Sequence, residues 1–243
     1  IKVFEDSIIN KEPSKAGHII LTVEKFTLGQ GYIKEPIKLP FRQGDNVAKL
    51  LTDFLGEGKY RHSGNINSGF YLSSIYDNDT REVNIPQYIL DKAGKITSRT
   101  SPEWLGEFDY TSDSGWMYAV NNEFLGIGMS EYIVKDGDVI RVQFSVHGIG
   151  ADIGGGLENY IKPANKDKLT AEIAEINSNT DKDKLLSKEI VNVAYNKALE
   201  VLQDMESSQE GVDKALKDLK TAIEGIEEPE TPTTFTITFE LSP

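Results

Sequence analysis

The residue types that could carry chemistry fall at a few places along the chain. Asp77-Asn78-Asp79-Thr80-Arg81 sets hard oxygen ligands two residues apart, as a calcium loop begins. Such a loop then needs a third oxygen residue, a glycine and a late glutamate, and Arg81 stands where the third oxygen belongs. The run therefore reads as an Asx-rich turn, in which Asp and Asn side chains bond the backbone two residues on. Gly148–Gly156, GIGADIGGG, is dense in glycine and follows a strand. A phosphate cradle wants its glycines at a helix start, with a Lys or a helix dipole behind them. The spacing here is not GxGxxG and no Lys-Ser/Thr follows, so the run reads as a flexible strand exit in which Asp152 is the one candidate contact or cation ligand. His18, His62 and His147 lack HxH or HxxxH spacing and read as solvated or singly hydrogen-bonded side chains. No GxSxG elbow is present. With 39 Asp and Glu in the chain, no two acids stand out as a glycosidase pair. The reading is of a protein with no catalytic residues, no metal site and no cofactor.

Four aromatic residues complete the candidate set: Trp104, Trp116, Tyr118 and Phe124. Aromatic faces stack on sugar rings and flat ligands and anchor protein interfaces. Trp116 and Tyr118 weigh first as core of a small sheet, because large aromatics dominate cores. Trp104, between Pro102 and Gly106, is the stronger contact residue. Long loops on a rigid sheet gather binding residues, so a partner is expected around Trp104, Phe124 and Asp152.

Composition narrows the partners. The formal net charge is −13, and no basic stripe offsets it, which disfavours nucleic acid and anionic membrane surfaces. There is no cysteine, hence no disulfide, thiolate metal site or Cys nucleophile. No run approaches the roughly 20 apolar residues of a spanning helix. The absence of Cys suits an exported protein of a Gram-positive bacterium. The chain opens on Ile1 and closes on a strand-like segment, so it reads as a piece of a longer protein.

Two regimes of periodicity must position these residues, and they meet near Lys162–Asn165. Residues 1–17 read as a polar lead. His18–Leu28 alternates as a strand, with Ile19, Leu21 and Val23 opposite Ile20, Thr22 and Glu24. Tyr32–Phe41 is a second strand, and Pro36 and Pro40 mark it as an edge strand or a bulge. Asp45 or Asn46 caps a helix through Val47, Leu50, Leu51 and Phe54, which Gly56 and Gly58 end. A strand near Phe70–Tyr76, an irregular insertion Asp77–Tyr110, and strands near Trp116 and Val139 follow. In the last strand Ile140, Val142, Phe144 and Val146 face one way and Arg141, Gln143 and Ser145 the other, the pattern of a half-buried antiparallel strand. The fold class expected is α+β: over 18–162, a β-grasp-like mixed sheet holding one helix on a face.

Over 163–228 the pattern becomes helical. One stripe runs through Leu169, Ile173 and Ile176, a second through Leu186, Ile190, Ala194, Ala198, Val201 and Met205, and a third through Val212, Leu216, Leu219, Ile223 and Ile226. Thr180 with Asp183, and Ser207 with Glu210, have capping-box spacing. Short connections then give a three-helix bundle. Residues 229–243 read as a Pro/Thr linker and the first strand, Phe235–Leu241, of a following domain.

Gly115-Trp116-Met117-Tyr118-Ala119-Val120-Asn121, the Gly126–Gly128 run, Lys135-Asp136-Gly137-Asp138-Val139-Ile140 and the turn Gly44-Asp45-Asn46-Val47 together resemble the transcobalamin-like C-terminal domain, a family of unknown function in bacterial surface proteins. The insertion Asp77–Pro102 departs from it. Asp167-Lys168-Leu169, the long central helix and Val212-Asp213-Lys214-Ala215-Leu216 are similar to the FIVAR three-helix module of surface adhesins and modular carbohydrate-active enzymes. The two resemblances imply an extracellular, wall-associated Gram-positive protein: a non-catalytic binding or adhesion module with a helical spacer, whose partner is an extracellular glycan or protein. The alternative they imply is a carrier of a corrinoid (cobalamin) or another small molecule. In the carriers, however, a separate α-helical barrel supplies much of the corrinoid surface, and the three-helix region is too small to be one.

Overall fold

The computed structural model describes residues 15–227. Most of the expected lead, the Pro/Thr linker after 228 and the strand expected at Phe235–Leu241 lie outside the described residues.

The first sheet grows from a hairpin, β1 (Lys15–Glu24) with β2 (Tyr32–Arg42). Its register sets Ile19 against Leu39 and Leu21 against Ile37, then shifts before Val23 meets Lys34. That irregularity accommodates Pro36, and β2 is the outer strand, where a missing N–H costs no ladder bond. Two further strands, β6 (Gly115–Val120) and β7 (Val139–Ser145), complete the order β2-β1-β7-β6. β7 lies parallel to β1 and antiparallel to β6. The sheet is therefore mixed, as the β-grasp-like reading requires, and the fold is α+β.

Helix α1 (Val47–Leu55) packs on one face of this sheet. Asn46 caps it, its Oδ1 accepting from the Lys49 N–H at 2.9 Å. Val47, Leu50 and Leu51 meet Ile19, Leu21, Val23, Ile140 and Val142 in the main core. A second sheet closes the same core: β3 (Tyr60–Asn65), β4 (Ser68–Tyr76) and β5 (Trp104–Gly106), which contributes Phe70, Leu72 and Ile75 from β4. β3 carries too little apolar alternation to be seen in the sequence: its side chains are almost all exposed. The insertion expected to be irregular holds β5 and a helix, α2 (Gln87–Ala93). Pro86 and Gly94 bracket that helix, a punctuation legible in the sequence.

The main correction concerns β7. All seven of its residues are buried, including Arg141, Gln143 and Ser145 on the polar face. Its Val139–Arg141 end lies under α3 (Asp167–Asn177), the first helix of a region that continues through the short α4 (Lys182–Leu186), α5 (Glu189–Gln203) and α6 (Gln209–Glu227). The expected second helix is broken at Ser187-Lys188 into α4 and α5. Ile190 and Val193 point outward, and Val191, Tyr195, Ala198 and Leu202 form the buried stripe instead. Neither expected capping box forms as read: no side chain caps α4, and at α6 the cap is Ser208, whose Oγ accepts from the Gly211 N–H at 3.1 Å.

Ala174 of α3 packs on Ile20 and Val139, and Asn177 Nδ2 donates to the Pro36 carbonyl at 2.9 Å. Beneath the start of α3, Arg141 and Glu24 form a two-pronged ion pair, Nε to Oε1 at 2.9 Å and Nη2 to Oε2 at 2.7 Å. Lys166, 1% exposed, donates to the carbonyls of Leu202 at 2.9 Å and Asp204 at 2.6 Å, tying the start of α3 to the end of α5. Burial, with Arg141 nearby, pulls the Lys166 ammonium down to about 7. Asp167 is buried with Oδ1 unpartnered, and burial pushes its carboxyl up to about 6, against the pull of Arg141.

Removing one member of the ion pair strands the other charge. Arg141→Met is expected to cost about 3–5 kcal/mol in urea unfolding, and adding Glu24→Leu to recover most of it. An additive loss in the double variant counts against the pair. The pH profile tests Asp167. Its folded value, about 6, lies above the ordinary 3.8, so the protonated form suits the fold and this group's contribution falls as pH rises from 3.8 to 6. Asp167→Asn removes that loss. The variant is expected to gain on wild type across this window, by on the order of 2 kcal/mol, and to hold the gain above it. A constant difference at all pH values contradicts the assignment.

Candidate functional site

A deep concavity among the described residues belongs to the insertion. A cleft of about 770 Å³ opens between the turn around Gln30 and residues 79–102, with Tyr110 at one wall. Val83, Ile85, Leu90 and Ile96 line it with apolar surface. Ile85 and Tyr110 also belong to a satellite core with Leu28, Ile89, Leu105, Phe144 and Val146. The floor is therefore anchored to the end of β7 while its upper residues stay open. Gly29 is obligatory at the base: its φ is +65°, and a Cβ there would lie 2.7 Å from the Asn84 carbonyl oxygen.

An ion network holds one lip of the cleft. Lys25, 1% exposed, directs Nζ to both Asp77 oxygens at 2.9 Å and to Asp79 Oδ2 at 2.7 Å. Arg99 clasps Asp77 twice, through Oδ2 and through the backbone carbonyl at 2.9 Å, and its Nε donates to the Tyr110 hydroxyl at 3.1 Å. Arg81 forks onto Asp79, Nε at 3.0 Å from both oxygens and Nη2 at 2.6 Å from Oδ2. Hydrogen bonds from Arg81, with Lys25 adding to them, hold the Asp79 carboxyl well below the ordinary carboxylate range. Gln30 and Arg81 bond each other's backbone carbonyls, and the buried Gln30 Oε1 has no partner. On the far side of Asp79 and Arg81 lies a second, more polar concavity of about 520 Å³ that Lys34, Lys59 and Tyr76 help to line.

The Asx-turn geometry read at residues 77–81 is present: Asp77 Oδ1 accepts from the Asp79 N–H at 3.2 Å, and Asp79 Oδ1 from the Arg81 N–H at 2.9 Å. Among the described residues no group of three His, Asp or Glu side chains is placed to hold a metal ion. His147 Nδ1 lies 2.7 Å from Asp113 Oδ1.

The residues singled out in the sequence do not converge. Asp152, the expected loop contact, is a correction: it is fully buried. Its Oδ1 accepts from the Ser145 hydroxyl at 2.6 Å and its Oδ2 from the N–H groups of Val146 at 2.7 Å and His147 at 3.0 Å. Burial pushes this carboxyl up to about 6 against those bonds. The strand exit expected to be flexible is instead knotted around Asp152 through a 3-10 turn at Ala151–Ile153. Phe124 seats its ring on the backbone of Gly155 and packs with Phe26, Ile153 and Met205. Trp116 donates Nε1–H to the Leu105 carbonyl at 3.0 Å and meets Phe144 edge-on. Tyr118 donates its hydroxyl to the Ile127 carbonyl at 2.8 Å. Both side chains are partly buried and pack against the edge of the main core.

Trp104 lies apart from them, half-buried on β5 of the second sheet. It crosses Tyr76 edge-on at 5.7 Å, and the Arg61 guanidinium lies 3.9 Å from its ring centre. Lys59 sits 3.6 Å from the Tyr76 ring centre, so cations and aromatic rings alternate across this face. A shallow depression of about 210 Å³ adjoins it, lined by Ser73, Thr100 and Glu107 among others.

A family model described as a domain of unknown function (DUF4430) matches residues 103–146. The match spans β5, β6 and β7 and includes the Gly115–Asn121, Gly126–Gly128 and Lys135–Ile140 motifs, and it is consistent with a transcobalamin-like family. A comparison with curated proteins finds no match. Apart from Tyr110, every residue lining the large cleft lies before the matched segment. No helix among the described residues is long and apolar enough to cross a membrane.

Asp152 is expected to serve folding. Asp152→Ala strands two buried N–H donors and a hydroxyl and should lower stability by about 2–4 kcal/mol. Urea unfolding measures it, and a loss under 1 kcal/mol, taken as ordinary surface behaviour, contradicts the structural role.

Proposed function

We propose that this chain is a non-catalytic binding module of a bacterial cell surface, with its ligand seat in the cleft of the insertion and its helical region as a spacer. The supporting observation is the cleft itself. It combines apolar lining, a volume within the range of ligand sites (roughly 300–1,000 Å³) and a few fixed polar groups at one lip. No nucleophile paired with a base stands near it: its hydroxyls are Thr80, Thr97, Ser98 and Tyr110, and its only carboxylate is Asp79, already bonded by Lys25 and Arg81. The resemblances read from the sequence and the lack of Cys support an extracellular, wall-associated setting. An extracellular glycan or protein meeting the Trp104 face is the companion reading, supported by the aromatic–cation array there.

Binding of a neutral apolar dye such as Nile red tests the seat. Leu90→Asp is expected to weaken it at least about tenfold, a loss of roughly 1.4 kcal/mol, while Trp104→Ala leaves it unchanged. On an array of glycans and matrix proteins, a hit lost in Trp104→Ala but kept in Leu90→Asp would move the seat to the second sheet. Cobalamin retained through desalting would favour the corrinoid alternative.

A further inference from the structure

The charge of the cleft is opposite to that of the protein. Its charged lining residues are Arg81, Arg99 and Asp79, an excess of one positive charge in a chain of net charge −13. Extending the sum to the rest of the network changes nothing, because Lys25 and Asp77 cancel. The three cations are not equivalent. Lys25 and Arg99 are 1% and 10% exposed and are held by the buried Asp77. Arg81 is 65% exposed, at the lip, and its Asp79 partner is shared with Lys25. The unbalanced charge is therefore presented to a ligand through Arg81. Thr80 and Ser98, both exposed, line the same cleft and supply hydroxyl donors. Away from that lip Val83, Ile85, Leu90 and Ile96 form an aliphatic wall, and such a wall offers a polar ligand nothing in exchange for its hydration.

We propose that the cleft takes an amphipathic monocarboxylate, its acid group at Arg81 and its apolar body over Val83, Ile85, Leu90 and Ile96. The inference rests on the reading of the cleft as a ligand seat and names the chemistry of that ligand. With Nε and Nη2 of Arg81 engaged by Asp79 and the Gln30 carbonyl, its Nη1 donors face a ligand, and a single acid group balances a single excess charge. Arg81 is already oriented for the task by Asp79 and by its bonds with Gln30. The specificity would be this chain's own, since the lip and the aliphatic wall lie outside the segment matched by the family model.

Displacement of Nile red from the whole chain by decanoate, 1-decanol and decyltrimethylammonium separates charge from apolar body. In the wild type decanoate is expected to compete at a concentration about tenfold below decanol, with the ammonium weakest. Arg81→Gln should bring decanoate to the level of decanol and leave decanol unchanged. Arg81→Lys, which keeps the charge and loses the anchoring of the guanidinium by Asp79 and Gln30, should fall between. Thermal melts of the variants show whether the fold is kept, and Thr80→Val with Ser98→Ala, which leaves the ion network intact, provides a second probe expected to weaken decanoate alone. Equal competition by decanoate and decanol in the wild type overturns the anion inference and leaves the ligand seat standing. A decanoate preference that survives Arg81→Gln also overturns it. If the dye does not bind, or binds equally to Leu90→Asp, the seat itself is wrong and the inference falls with it.

Discussion

The bidentate pair between Arg141 and Glu24 is the constraint around which the rest of the structure is arranged. Both side chains are almost entirely removed from water, 7% and 2% exposed. Each charge alone costs several kcal/mol to bury, and only close geometry and a dry cover make the pair tolerable. That geometry exists because β7 runs parallel beside β1, which sets Arg141 next to Thr22 and Glu24 next to Gln143 on one face. The cover is α3. With its start laid over the pair, Lys166 and Asp167 become buried in turn, and Lys166 must find carbonyls at the end of α5. Strand register and bundle placement thus meet at this pair, which acts beside the Ala174 packing and the Asn177 bond to Pro36, while the opposite face of the same sheet is held by ordinary aliphatic packing with α1 and β4.

The insertion repeats this logic in a half-open form. Lys25 follows directly after β1, and its ammonium is buried where two aspartates at the start of the insertion can meet it. Arg99 closes the network from the far side of the insertion and, through Tyr110, links it to the satellite core. A loop pinned at both ends by ion pairs can leave its aliphatic residues lining a cleft without collapsing over them. The same pinning explains how β5 reaches β4 to complete the second sheet, with Trp104 set opposite Tyr76.

Alternation and punctuation were legible along most of the first sheet. β1, β2, α1, β4, β6 and β7 lie where period-two runs, the Asn46 cap and the Gly56 stop place them, because each signal is local: a side chain bonding a nearby amide, or a glycine released from the Cβ penalty. β3 was not legible, since a strand exposed on both faces carries no apolar period. α2 has Pro86 and Gly94 as punctuation but no apolar stripe, because its seven residues bury only Ile89. A stripe continued through Leu186 assumes one unbroken helix, whereas the break at Ser187-Lys188 rotates the face of α5 and leaves Ile190 outside.

By itself the sequence determined the α+β class, the change from strand to helix near Lys162–Asn165 and the absence of cysteine chemistry. Each of these follows from residue type and short-range spacing. Tertiary structure alone decided which polar residues go inside. Arg141, Glu24, Lys25 and Lys166 are ordinary surface residues by type, and they are buried because residues distant in the chain supply their partners. It alone assembled the cleft, whose walls come from the turn after β1 and from the insertion some fifty to eighty residues later. Such a site has no local signature, since the free energy that builds it is the desolvation and pairing of groups that meet only once the chain has folded.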